Sequence, residues 1–244
     1  MAESLQRTTN RLVRDVAPLC FSSPVTHVYN PLVYAKAPYR RYLERFGSGT
    51  GRVVLLGMNP GPWGMVQTGI PFGEVNAVRD WLGINEPVGK PAVEHPKRPV
   101  LGLACSRSEV SGARIWSWVQ EHFRTPGCFF RRFFVANYCP LAFIERSGRN
   151  RTPDKLPTAE REPLFEACDR ALRRTVEHLQ PKCIIGIGVF AERRALQALD
   201  GLDVTIGRIL HPSPANPAAN RNWAARVTIE LAAYGIRIDR DASF

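Results

Sequence analysis

Four short apolar runs are the feature of this sequence that most limits its fold. They are Val53 to Gly57, Phe133 to Asn137, Cys183 to Gly188 and Thr205 to Leu210. Short apolar runs that alternate with helical patterns are typical of parallel strands buried between helices. We therefore predict an α/β fold of three layers, in which a central, mainly parallel four-stranded sheet carries helices on both faces.

The segments between the runs divide into helical patterns and polar loops. Residues Asn85 to Glu109 carry four prolines and no clear period, which predicts an ordered surface excursion. Residues Glu145 to Pro157 form the most polar loop. Helices are predicted over Leu5 to Val16, Ala37 to Phe46, Glu74 to Leu82, from Ser111 as N-cap to about Phe123, from about Glu162 to Leu179, and over Phe190 to Leu199. We expect one domain over residues 1–244.

Residues that could contact a ligand end or follow each of the four runs. They are Asn59, Asn137, Gly188 and His211. In open parallel sheets, ligands bind beyond the carboxyl ends of the strands, which all lie at one edge. Two amides, a histidine and glycine-rich backbone at that edge predict a binding site.

The loop after the first run, Gly57 to Gly73, is rich in glycine and proline. Glycine lets backbone N–H groups approach a ligand closely. The loop matches neither the G-x-x-x-x-G-K-[ST] phosphate loop nor the dinucleotide fingerprint. Its Asn59 could orient a water molecule or bind a substrate, although an Asn-Pro pair is also common in simple turns.

The loop after the fourth run begins His211-Pro212-Ser213-Pro214, and its prolines would hold the imidazole in a fixed direction. A single histidine at a strand end is more often structural, but its place at the ligand edge favours a functional role. Asn137 offers one donor and one acceptor from its side chain, which complements a uracil-like Watson–Crick edge.

Composition points weakly to a polyanionic partner. The formal net charge is +11, but only five of the 33 basic residues are lysines, so a general arginine bias is an alternative explanation. The six cysteines form no C-x-x-C pair and no cluster with the five histidines, so we expect no metal site, no cofactor and buried free thiols. The sequence shows no secretory signal or membrane span, which favours an intracellular protein, cytoplasmic if bacterial and nuclear if eukaryotic.

Three motifs together resemble the single-strand-selective monofunctional uracil-DNA glycosylases. They are Gly57-Met58-Asn59-Pro60-Gly61-Pro62 with its continuation Gln67 to Gly73, Asn137-Tyr138-Cys139-Pro140-Leu141, and His211 to Pro217. The resemblance extends roughly from Tyr29 to Trp223. It implies hydrolysis of the bond between deoxyribose and uracil, or some 5-substituted uracils, in DNA.

The resemblance also implies a role for each matching residue. Asn59 would position the attacking water and His211 would hydrogen-bond uracil O2 as the base leaves. Phe72 would stack on the extruded base, and Asn137 would read its N3 and O4 edge. The residues implied are Asn59 and His211 for catalysis, Gly57, Met58, Gly61, Met65, Phe72 and Asn137 for substrate binding, and Pro212, Ser213, Pro214, Ala215, Asn216 and Arg221 for DNA binding.

The chain departs from the family pattern at two positions. Ala215 stands where an arginine is expected in the segment that enters the duplex, and Trp63 replaces a phenylalanine. The partner implied is single- or double-stranded DNA containing uracil, bound by a monomer without a metal. Two alternatives are a related glycosylase acting mainly on deaminated purines and a nucleic-acid binding module with little turnover.

Overall fold

Seven strands are present in the computed structural model, which describes residues 3–238. They are β1 Val25–Tyr29, β2 Val53–Gly57, β3 Phe133–Asn137, β4 Ala142–Glu145, β5 Asn150–Arg151, β6 Cys183–Ile187 and β7 Thr205–Ile209. Four of them pair in parallel in the order β3-β2-β6-β7, which confirms the predicted central sheet. The strand order reverses beside β2, so its carboxyl end lies at the point where open sheets bind ligands.

Helices cover both faces of this sheet. They are α1 Leu5–Val16, α2 Pro31–Tyr34, α3 Lys36–Phe46, α4 Met65–Thr68, α5 Val110–His122, α6 Pro126–Arg132, α7 Thr158–Leu179, α8 Val189–Ala198 and α9 Trp223–Ala232. Helix α7 packs against α1 and α8, and α5 packs against α9. Crossovers between parallel strands are right-handed as a rule. Helix α5 leads from β2 to β3, whereas α7 and α8 lead in the other direction across the sheet, so they lie on the opposite face and complete the three layers.

Several predicted boundaries differ from the structure. Helix α5 begins at Val110 with Glu109 at its N-cap, so Ser111 lies inside the helix and does not cap it. The apolar side chains Ile115, Trp116, Val119 and Phe123, which the helical spacing places on one face, are nevertheless buried. Helix α7 begins at Thr158 and contains Pro163. Because proline favours the first turn of a helix, the sequence pattern suggests a later start near Glu162.

A second sheet was absent from the sequence prediction. Its order is β1-β4-β5, and β4 pairs with both neighbours in an antiparallel arrangement. The predicted helix after Gly73 is present but includes a π-helical turn over Ala77–Trp81. Four of the six free cysteines are buried as expected, but Cys20 is exposed and Cys128 is half-buried.

The proline-rich excursion is held against the domain by two buried side chains. The Tyr29 hydroxyl donates to the Arg98 carbonyl at 2.9 Å and accepts from the His95 backbone N–H at 2.6 Å. The Gln67 side chain donates to the Pro99 carbonyl at 3.0 Å and accepts from the Leu101 N–H at 2.8 Å. These bonds explain how a segment without regular periodicity is ordered, as predicted.

Tyrosine hydroxyls bind the backbone of both edge strands of the parallel sheet. On β3, the buried Tyr42 hydroxyl donates to the Val135 carbonyl at 2.8 Å and accepts from the Val135 N–H at 3.3 Å. On β7, the Tyr234 hydroxyl accepts from the Arg208 N–H at 3.0 Å. Edge strands expose unpaired backbone groups, and these two side chains satisfy some of them.

We expect Tyr42→Phe to lower the free energy of unfolding by about 1–3 kcal/mol, because a buried carbonyl and N–H would lose their partner. The matched control is Tyr234→Phe, whose more exposed site should cost less than about 0.5 kcal/mol. Urea unfolding of both variants measures the difference. Equal losses would show that Tyr42 does not satisfy the edge of β3.

Candidate active site

The site is built around a close contact between the ends of β2 and β3. Gly57 and Asn137 are register partners in the parallel ladder. A methyl group on Gly57 would overlap the Asn137 side-chain oxygen and the Phe72 ring. Glycine at this position therefore allows an amide and an aromatic ring to meet at the carboxyl edge of the sheet.

The Asn137 amide is held in place but its hydrogen-bonding groups are poorly satisfied. Its Nδ2 donates to the Met65 sulfur at 3.2 Å. Its Oδ1 is buried and has no hydrogen-bond partner within residues 3–238. Since a thioether is a weak acceptor and an unpaired buried oxygen is costly, the amide is arranged for a ligand that offers both a donor and an acceptor.

Phe72 is fixed by its backbone. Its φ angle is +53°, a conformation that is uncommon for residues other than glycine. Its carbonyl accepts a hydrogen bond from Trp116 Nε1 at 2.9 Å. The ring is buried, and its centroid lies 6.4 Å from that of His211. Phe72 therefore connects the Asn137 side of the site to the His211 side.

His211 is held in one tautomer by its own loop. The Ser213 backbone N–H donates to His211 Nδ1 at 3.0 Å, so in the neutral ring the proton is on Nε2. Burial lowers the pKa of His211 from 6.5 to about 4. At neutral pH the side chain is therefore an uncharged imidazole whose Nε2–H is a donor.

Asn59 is anchored through one half of its amide. Its Nδ2 donates to the Leu141 carbonyl at 3.1 Å. Its Oδ1 makes no hydrogen bond to any residue that the structure describes. The neighbouring Met58 carbonyl accepts from the Cys139 N–H at 2.8 Å, which ties the first loop to the segment after β3. Asn59 can thus accept a hydrogen bond from a water molecule without losing its anchor.

The sequence did not identify Glu109 as part of the site. Its carboxylate lies against Gly61 and Gly64, where a side chain on either glycine would overlap it. Glu109 Oε2 is buried and unpaired within the described residues. Burial, and then the charge of Glu74, raises the pKa of Glu109 from 4.5 to about 7. Gly61 therefore makes room for this carboxyl group.

Arg114 was also missed by the sequence analysis, and it fixes the loop that begins at His211. Its guanidinium donates to the Pro212 carbonyl at 2.8 Å and to Asn220 Oδ1 at 2.9 Å. Asn220 in turn donates to the Pro214 carbonyl at 3.0 Å. Arg114 lies on α5, so this helix supports the residues that follow His211. In the sequence, Arg114 is an ordinary polar position of a helix. Its support of the loop after His211 becomes visible only in the folded structure, because the two are far apart in the chain.

Comparisons with known proteins show the family to which this chain is related. A family model described as the uracil DNA glycosylase superfamily matches residues 44–232. The single-strand selective monofunctional uracil DNA glycosylase of Mus musculus is 49% identical over 238 residues, covering 97% of this chain and 85% of the mouse protein. The Rattus norvegicus protein of that name is also 49% identical, with 97% and 86% covered.

The chain belongs to this family. The resemblance inferred from its three motifs is confirmed. The crystal structure of wild-type SMUG2 from Pedobacter heparinus has a TM-score of 0.65 with 14% sequence identity, and the match covers 93% of this chain and 97% of that one. At that identity the likeness shows a shared fold.

The predicted DNA-binding residues of this glycosylase-family chain differ in exposure. Pro214, Ala215 and Arg221 are exposed, Ser213 and Asn216 are half-buried, and Pro212 is buried. The Asn216 side-chain oxygen accepts from the Ala218 N–H at 3.2 Å and caps the turn Pro217–Asn220. The structure thus brings Gly57, Met65, Phe72, Asn137 and His211 together, and places the exposed loop residues beyond His211.

Neither a metal site nor a membrane span is found among the described residues. Within residues 3–238, no group of three histidine, cysteine, aspartate or glutamate side chains could hold a metal ion. No helix in that range is both long and apolar enough to cross a membrane.

We expect Gly57→Ala to destabilise the protein by about 1–3 kcal/mol, because the new methyl group overlaps Asn137 and Phe72. Gly127→Ala is the matched control, since its nearest neighbour is an ordinary 3.8 Å away and its φ is not positive. Urea unfolding gives both values. Equal stability of the two variants would contradict the close contact at the end of β2.

We expect the His211 resonance to titrate in NMR with a midpoint of about 4 in the folded protein. Between pH 6.5 and 4 the unfolded state binds more protons at this residue, so its contribution to stability should fall as the pH is lowered through that range. His211→Gln should reduce this slope of stability against pH. A folded midpoint near 6.5 would contradict the burial of the imidazole.

Proposed function

We propose that this protein hydrolyses the N-glycosidic bond of uracil in DNA and leaves an abasic site, without lyase activity. The observation that carries the proposal is the Asn137 amide, with an unpaired Oδ1 and an Nδ2 bound only to sulfur. The proposal extends the activity named for the family to particular residues of this chain.

Recognition of uracil follows from the hydrogen-bonding groups of Asn137. Its Oδ1 would accept from uracil N3–H, and its Nδ2 would donate to O4. Cytosine presents an unprotonated N3 and an N4 amino group, so both contacts would become mismatched. An unpaired polar group in a buried site costs about 1–3 kcal/mol, enough to discriminate between the bases.

Phe72 supports the same choice of ligand. A base must leave the DNA stack to be attacked, which costs a few kcal/mol. The buried Phe72 ring, whose positive φ fixes its position, offers a surface on which the flipped base can stack. Stacking would return part of the energy lost when the base leaves the duplex.

His211 would act on the departing base. As the bond from C1′ to N1 breaks, its electron pair stays with uracil and negative charge develops on O2. The Nε2–H of the neutral imidazole would donate a hydrogen bond to that oxygen. Such a preorganised donor stabilises the transition state more than the substrate. With a pKa of about 4, the ring would not be expected to transfer a full proton at neutral pH.

Asn59 would hold the attacking water through its side-chain oxygen. The water oxygen forms the new bond to C1′, and one of its protons is released to solvent or to the departing uracil anion. Because an amide is a poor base, Asn59 orients the water and most of the rate enhancement must come from leaving-group stabilisation. The two loops, Gly57 to Gly73 and His211 to Pro217, contain no lysine that could act as an amine nucleophile, in accord with monofunctional chemistry.

The exposed residues after His211 would face the DNA. The exposed Pro214, Ala215 and Arg221 would approach the DNA beside the lesion, with Ala215 too small to fill the gap left by the base. We propose an intracellular enzyme of one domain that acts as a monomer on single- or double-stranded DNA.

An excision assay on oligonucleotides carrying uracil, 5-hydroxymethyluracil, hypoxanthine, xanthine or cytosine tests the proposal. We expect uracil to be released fastest and cytosine to be retained. His211→Ala should slow single-turnover release from uracil DNA by about 10²–10³-fold, the usual effect of losing one oxyanion donor. Its binding to DNA containing an uncleavable uracil analogue should change much less.

Each alternative has its own outcome in this assay. Faster release of hypoxanthine or xanthine than of uracil would favour a purine-specific glycosylase. Binding without release of any base would indicate a module with little turnover. Equal losses of binding and release in His211→Ala would remove His211 from the role of leaving-group donor.

A further inference from the structure

An aromatic side chain in the first loop lies close to two guanidinium groups. The centre of the Arg98 guanidinium lies 5.0 Å from the centroid of the Trp63 ring, and that of Arg107 lies 4.6 Å from it. Trp63 follows Asn59 by four residues in the first loop. Gln67 Nε2 donates to the Pro62 and Pro99 carbonyls at 3.0 Å each, which holds this loop against the segment that carries Arg98. We call Trp63, Arg98 and Arg107 the Arg–Trp–Arg cluster.

The two arginines have no acidic partner within the described residues. Arg98 Nη1 donates to the Lys97 carbonyl at 3.0 Å, and its Nε is buried without a partner. Neither guanidinium forms an ion pair with any residue of the range 3–238. Burial, and then the charge of Arg107, lowers the pKa of Arg98. The fold therefore holds two like charges near one ring without a neutralising anion.

Carboxylates on the excursion and at the end of β4 are engaged elsewhere. Glu94 accepts from the Val100 N–H at 2.6 Å and pairs with Lys90 at 2.9 Å. Glu145 pairs with Arg151 at 2.8 Å. Glu109 lies against the glycines of the first loop, and burial raises its pKa to about 7. None of these side chains neutralises the arginines.

Further positive charge lies beside the cluster. Lys97 lies next to Gly148, where an added Cβ would be 3.1 Å from that of Lys97. The Arg146 carbonyl lies 3.2 Å from His95 Nε2. Both Lys97 and Arg146 have exposed side chains. The excursion and the loop between β4 and β5 thus lie side by side, and both carry further exposed positive charge.

We propose that the Arg–Trp–Arg cluster binds backbone phosphates of the DNA strand that carries the flipped nucleotide. This inference rests on the proposed function, because it assigns the strand's path relative to the uracil site. Guanidinium groups match phosphate oxygens with paired donors, and stacking on an aromatic ring limits their motion before binding. Phosphate would supply the anion that the folded chain lacks, and Trp63 would keep the two arginines apart.

The cluster needs only one strand, so it should act on single-stranded and duplex substrates alike. The test compares Arg98→Gln/Arg107→Gln with Arg40→Gln/Arg41→Gln. The control removes the same charge from exposed arginines of α3 that pair with Glu44 and Glu86. Binding to a single-stranded oligonucleotide carrying an uncleavable uracil analogue is measured by fluorescence anisotropy over a series of salt concentrations.

We expect the slope of log K against log salt to become shallower by about 1.4 in the cluster variant, or about 0.7 for each lost phosphate contact on single strands. The control variant should change the slope much less. Single-turnover release at saturating DNA should remain within about twofold of the unmodified protein. Equal slopes in the two double variants would overturn the proposal.

Substitution of Trp63 tests the contribution of the aromatic ring to DNA binding without changing the charge. Trp63→Phe should keep the affinity, whereas Trp63→Ala should weaken binding several-fold with no change in net charge. A cluster variant that has the normal slope but slow release at saturating DNA would show a role in chemistry and would also overturn the proposal. Urea unfolding of each variant confirms that it is folded.

The same measurements keep this inference apart from the proposed function. Anisotropy with an undamaged oligonucleotide reports phosphate binding even if no base is released. Absence of excision by the unmodified protein on every lesion would refute the proposed function, and the salt slopes would still decide whether the cluster binds phosphate.

Discussion

The pairing of Gly57 with Asn137 is the constraint on which the rest of the site depends. Parallel register sets these two residues side by side at the carboxyl edge. Because Gly57 has no side chain, the Asn137 amide and the Phe72 ring can occupy the same corner. A larger residue would separate the Asn137 amide, which we propose reads the edge of the base, from the Phe72 ring, which we propose stacks on its face.

Helix α5 contacts both the loop Gly57 to Gly73 and the loop that begins at His211. Near its start, Glu109 lies against the first loop and Gly112 leaves room for the Phe72 carbonyl. The Trp116 indole then binds that carbonyl, and Arg114 binds the loop that follows His211. One helix therefore fixes the two loops relative to each other, as the proposed chemistry requires.

Local sequence patterns predicted the elements that have a regular hydrophobic period. The four parallel strands and the buried stripe of α5 follow from such patterns. The antiparallel sheet could not be predicted in this way, because β5 has only two residues and gives no measurable alternation. Glu109 and Arg114 were missed for another reason. Their partners lie some 45 and 98 positions away in the chain, and only folding brings them together.

Several buried polar atoms near the proposed substrate contacts have no hydrogen-bond partner in the folded protein. Asn137 Oδ1, Glu109 Oε2 and Arg98 Nε are buried without partners among the described residues, and each such group costs about 1–3 kcal/mol. A core that spans both faces of the sheet offsets that cost. In the proposed complex, a base edge would contact Asn137 and a phosphate would contact Arg98. Binding substrate would then recover energy that folding alone cannot, and DNA lacking either group would recover less.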